Sequence, residues 1–159
     1  MTLVQRIPLV IAELERLYPD ATIELDFQSP LQLMIAVMLS AQCTDKRVNL
    51  VTPALFARFK NARDYASSDR DELESYIRST GFFRNKAKSI QAACKAIVEQ
   101  HGGEVPRTLD ELTDLPGLGR KSANCILGDA FDTPGITVDT HVGRLARRLG
   151  FTRELDPVK

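Results

Sequence analysis

Cysteine is scarce. The three residues, Cys43, Cys94 and Cys125, are odd in number and far apart, which excludes a disulfide framework and a paired-cysteine metal knuckle and reads as three reduced thiols. The opening Met1-Thr2-Leu3-Val4-Gln5-Arg6 lacks a basic leader, and no later window approaches the roughly 18 apolar residues of a membrane span. No membrane partner is expected, and a cytoplasmic location is. An excess of charge is absent too: 21 Lys and Arg balance 21 Asp and Glu, so any polyanion-binding surface must be local. Alternating apolar patterns long enough for a strand are also lacking.

What is present is helical periodicity from end to end. Leu3, Ile7, Val10, Ile11, Leu14 and Leu17 draw one stripe down an opening helix of about 15 residues. Ser29-Pro30 is a cap and first turn, and Leu31 to Leu39 is apolar almost all round, as in a central buried helix. Thr44 can cap the next helix, Pro53 can start another through Phe59, and Ser68 can cap Asp69 to Arg78 before Gly81 stops it. Arg84 to Gln100 places Ala87, Ile90, Ala93, Cys94 and Ile97 on one face, and Thr108-Leu109-Asp110-Glu111 has the form of a capping box. A helix from Arg120 to about Phe131 and one capped by Asp139, ending near Gly150, complete an all-α bundle of many short helices. Asp156-Pro157-Val158-Lys159 looks like a cap and first turn whose helix does not follow.

Two stretches, Arg84-Asn85-Lys86-Ala87-Lys88 and Arg144-Leu145-Ala146-Arg147-Arg148, hold no acid. Each reads as a solvated helix face or as a phosphate contact. Between two predicted helices, Leu115-Pro116-Gly117-Leu118-Gly119 offers two glycines able to take φ > 0, in a turn that exposes amides at the positive end of a helix. That suits phosphate oxygens without reading base sequence.

Leu115-Pro116-Gly117-Leu118-Gly119-Arg120-Lys121-Ser122-Ala123-Asn124, followed by Val138-Asp139-Thr140-His141-Val142, resembles the signature of the endonuclease III family, the bifunctional branch of the helix-hairpin-helix DNA glycosylases. Leu39-Ser40-Ala41-Gln42-Cys43-Thr44-Asp45, Gly81-Phe82-Phe83-Arg84-Asn85-Lys86-Ala87 and His101-Gly102-Gly103-Glu104-Val105-Pro106 resemble it in the same order. The resemblance implies a base-excision glycosylase and abasic-site lyase that removes oxidised pyrimidines from damaged duplex DNA, working as a monomer in the nucleoid. It implies Lys121 as the nucleophile and Asp139 as its carboxylate partner. Attack needs an uncharged amine, which the neighbouring Arg120 and the first turn of a helix favour. Asp139 would stabilise positive charge on the sugar.

By the same resemblance, Gln42 fills the gap left by a flipped nucleotide. Leu115, Gly117, Gly119, Arg120, His141, Arg84 and Lys86 are expected at DNA, and Ser40 and Asp45 in the base pocket. For His141 a structural hydrogen bond to the backbone is the favoured reading over a phosphate contact.

Relatives carry a four-iron four-sulfur cluster on four close cysteines past the region where this chain stops, and Cys43, Cys94 and Cys125 cannot replace them. No cofactor is therefore encoded in these residues. A chain cut short is expected, with 1–22 a helix that would pack on the absent segment. Residues 23–135 form a helical barrel containing the helix-hairpin-helix at 108–131, and 136–159 begin a second domain. Apolar surface along Leu3, Ile7 and Leu14 should then be exposed. Adenine-specific relatives, with a small residue in place of Lys121 and a glutamate near Ala36, do not fit. An oxidised-purine glycosylase and a non-catalytic DNA-binding remnant are the alternatives.

Overall fold

The computed structural model describes residues 2–158. Among these the fold is all-α, with nine helices, one 3-10 turn and no strand. No helix of the described residues is long and apolar enough to cross a membrane. The chain divides into two compact units, one of residues 24–135 and one joining the two ends, 1–23 and 136–159.

The larger unit is built around α2 (Pro30–Ser40). Ser29 Oγ accepts from Gln32 N at 3.2 Å, Pro30 opens the first turn, and every residue from Leu33 to Leu39 is buried. Each large side chain of that run gains about 1.5–3 kcal/mol from leaving water. Around α2 pack α3 (Asp45–Arg58), α6 (Phe83–Gln100) and α8 (Arg120–Phe131). The smaller α4 (Ala62–Ala66), α5 (Arg70–Ile77) and α7 (Leu109–Asp114) close the shell. Ala87, Ile90, Ala93, Cys94 and Ile97 form the inner face of α6, as their spacing predicts.

Three boundaries differ from expectation. Pro53 starts no helix; it lies inside α3, where its fixed φ suits the helix and burial of Val48, Val51 and Leu55 outweighs the lost amide bond. Asp69, not Ser68, caps α5, because the Ser68 hydroxyl donates to Tyr65 O at 2.7 Å and accepts from Gln91 Nε2. The helix then tightens into the 3-10 turn Arg78–Thr80 before Gly81. Helix α4, capped by Asn61, has too few residues to show a period.

The smaller unit holds α1 (Leu3–Leu17) and α9 (Thr140–Arg148). Thr2 and Gln5 form a reciprocal capping box, and Arg6 Nη2 donates to Gly150 O at 3.2 Å. Neither helix has a fully buried residue; Leu3 and Leu14 are exposed and Ile7 is half-buried. Asp156 Oδ1 accepts from Val158 N at 2.9 Å, and Lys159 of the predicted turn lies outside the described residues.

Candidate nucleic-acid interface and active site

The hairpin between α7 and α8 is a tight turn closed by Leu118 N donating to Leu115 O at 3.2 Å. Pro116 in second place and Gly117 at φ +83° in third fit a type II turn. A Cβ on Gly117 would lie 2.7 Å from Ser89 Cβ and 3.1 Å from Met38 Cε, so the hairpin backbone rests directly on α6 and α2. Of the two hairpin glycines only Gly117 takes positive φ. Gly119 is extended at φ −103°, with nothing within 4 Å of where a Cβ would stand. Its gift is open space beside the start of α8, whose N-terminus has no side-chain cap. The first-turn amides of such a helix end are a ready anion site. Leu115 contributes no surface: its side chain is buried beside Leu118 and anchors the turn.

Arg120 and Lys121 are the first two residues of α8 and both are exposed. Lys121, Asp45 and Asp129 all lie within electrostatic reach of Cys125. Burial, the Asp129 charge and a hydrogen bond to Asp129 together push the Cys125 thiol up to about 12, a protonated and inert state. Asp139 belongs to the other unit, where it is half-buried and caps α9 through Oδ1, 2.8 Å from Val142 N. His141 Nδ1 lies 3.0 Å from Arg144 Nη2, so its partner there is a side chain rather than the backbone.

A cleft of about 220 Å³ gathers several expected residues in the larger unit. Met38, Gln42, Phe82, Lys86, Ser89 and Gly117 line it. Gln42 is exposed at φ +52°, and Phe82 is 64% exposed at φ +46°. Left-handed backbone at non-glycine residues is uncommon and clusters at functional sites. Phe82 carries no role in the sequence reading; the available signal was the pair Phe82-Phe83 at a helix start, where one inward face leaves an aromatic outside.

Lys86 departs from expectation. It is 7% exposed, with Nζ donating to Leu39 O and Thr80 O at 2.8 Å each, so it is not a surface contact for phosphate. Burial lowers its pKa, partly offset by the nearby Cys43 thiol. Arg84 is exposed, and it and Arg78 both stack on Phe83, at 5.6 and 5.3 Å from the ring centre. Ser40 is half-buried with its hydroxyl donating to Val37 O at 2.9 Å, and Asp45 begins α3.

An iron–sulfur cluster needs grouped thiolates. Cys43 precedes α3, Cys94 is buried on α6 and Cys125 lies on α8, all as free thiols. Three thiols on separate elements do not fit a four-thiolate cluster, and no group of three or more His, Cys, Asp or Glu among the described residues could hold a metal.

The profile of the HhH-GPD superfamily of base excision DNA repair proteins matches residues 35–159. Endonuclease III of Synechocystis sp. is 56% identical over 156 residues, covering 98% of this chain and 71% of the relative. Endonuclease III of Bacillus subtilis is 51% identical over 142 residues, covering 89% of this chain and 65% of that one. Among solved structures, a non-covalent endonuclease III–DNA complex is 48% identical with a TM-score of 0.90, covering 98% of this chain and 72% of its own. A thermostable thymine-DNA glycosylase shares the fold at a TM-score of 0.83 and 19% identity, covering 89% of this chain and 67% of its own.

Proposed function

Because the chain belongs to the HhH-GPD superfamily of base excision DNA repair proteins, and to its endonuclease III branch, we propose that it is a DNA glycosylase and abasic-site lyase acting on oxidised pyrimidines in duplex DNA. The carrying observation is Lys121, exposed in the first turn of α8 directly after the uncapped hairpin. A phosphate seated on the amides beside Gly119 would hold a sugar within reach of that amine. The uncharged Nζ attacks C1′, the bond from C1′ to the base breaks, and the electron pair leaves with the base, which is then protonated. Once the attached nitrogen has given up one proton, its lone pair forms a C1′=N bond as the C1′–O4′ bond breaks and O4′ takes up a proton, leaving a protonated Schiff base. Removal of a C2′ proton then expels the 3′ phosphate by β-elimination, and water releases the lysine.

Asp139 has the chemistry to stabilise positive charge on the sugar as the base departs, while its Oδ1 holds the start of α9. Gln42 and Phe82, both exposed and both lining one cleft, suit the space a flipped nucleotide leaves: an amide to meet the opposite base and a ring to stack on it. Arg120 and Arg84 are the proposed phosphate contacts, with His141 alongside Arg144 in the second unit. The cluster usual in the family has no ligand set in these 159 residues, and the steps above are carried by Lys121 and Asp139. Chromosomal DNA, in the cytoplasm, is the proposed setting.

Borohydride trapping tests this reading. A thymine-glycol duplex should be captured covalently by the chain and not by Lys121→Ala, while Asp139→Asn should bind the duplex yet be captured far more slowly. Equal capture by wild type and Lys121→Ala sinks the assignment.

A further inference from the structure

Lys86 is the only charged side chain among the described residues of the buried core. An ammonium taken out of water is expensive unless fully partnered. Its two partners are carbonyls rather than carboxylates: Leu39 O in the last turn of α2 and Thr80 O at the end of the 3-10 turn, each 2.8 Å away. Helix C-terminal carbonyls have no intrahelical donor and attract cations. Each partner lies just ahead of a cleft residue, Leu39 three residues before Gln42 and Thr80 two before Phe82. Those are two of the three described non-glycine residues with positive φ, and both line the cleft that Lys86 floors.

We propose that Lys86 is a positioning residue, a strut that ties the two chain ends leading into Gln42 and Phe82 and so sets the spacing at which these side chains meet DNA. A methionine would fill the same volume without a buried charge. What methionine lacks is the pair of donors that ties the two segments together. The inference rests on the glycosylase reading for its consequence at DNA but not for its geometry, and the test separates the two.

Lys86→Met and Lys86→Gln, the second keeping two donors on a shorter stem, are compared with wild type in the full chain. Amide hydrogen exchange without DNA should quicken at least tenfold at 40–43 and 80–83 together in Lys86→Met, less in Lys86→Gln, and stay unchanged in α6 beyond its first turn. Global quickening, no change, or failure of both variants to fold makes Lys86 a stability residue and overturns the strut. With a duplex carrying a tetrahydrofuran abasic-site analogue, a drop of the competent population to a tenth weakens Kd about tenfold. The same substitution in a Gln42→Ala/Phe82→Ala background should change Kd less than twofold; a tenfold loss in both backgrounds overturns the proposal. Local loosening in Lys86→Met, together with a wild-type chain that shows no preference for the abasic duplex, would leave the strut standing and defeat the glycosylase reading instead.

Discussion

Cys94 is fully buried on the inner face of α6, and burial pushes its thiol from an ordinary 9.0 up to about 12. Below pH 9 the thiol is protonated folded or unfolded and contributes nothing to the pH dependence. Above it the unfolded chain releases a proton that the folded chain retains, so stability falls as pH rises, by at most about 1.4 kcal/mol per pH unit. Urea unfolding between pH 8 and 10 should therefore decline more steeply for wild type than for Cys94→Ala; parallel slopes would clear the thiol. The two lysines of the site show how far a residue can be read alone. Lys121 follows a hairpin and starts a helix, so its exposure is a local matter. Lys86 sits in an equally acid-free stretch, yet Leu39 and Thr80, from other elements, take its ammonium inside.

Elements are where local chemistry speaks most clearly. Thr2, Ser29, Thr44, Thr108 and Asp139 all accept a bond from the first turn of their helices. Capping is a contact over three residues, and three residues are visible in a sequence. The hairpin is half legible by the same standard. Its turn chemistry marks Gly117, but the packing that forbids a side chain there comes from Ser89 and Met38. Gly117→Ala should lose about 1–3 kcal/mol from left-handed backbone, with the Ser89 contact adding to it. Gly119→Ala, extended and facing open space, should leave urea stability nearly unchanged while weakening DNA binding. If the alanine at 119 binds DNA normally, the amides beside it are not the phosphate site.

The whole molecule carries apolar surface that its own helices leave uncovered. Leu9, Ile11, Leu14 and Leu17 of α1 are each between 48% and 60% exposed. The folded chain should bind an apolar dye such as anilinonaphthalene sulfonate, and Leu14→Gln/Leu17→Gln should lower that fluorescence. Since half-exposed side chains contribute little to folding, the melting temperature should move by no more than about 3 °C. Undiminished dye binding would place the surface elsewhere. Net charge gives no comparable handle, since acids and bases balance over the chain.

The amino-acid sequence by itself determined the helical class, the caps at Ser29, Thr44, Thr108 and Asp139, the scattering of the thiols, and the adjacency of hairpin and Lys121. All of these rest on residues within about one helical turn of each other, where the backbone period sets the contacts. Only the tertiary structure decided that Lys86 is inside, that the Leu115 side chain is buried, that Gly117 lies against Ser89, and that Gln42 and Phe82 line one cleft. Those outcomes depend on which surfaces α2, α6 and α8 bring together across tens of residues, and no local period encodes them.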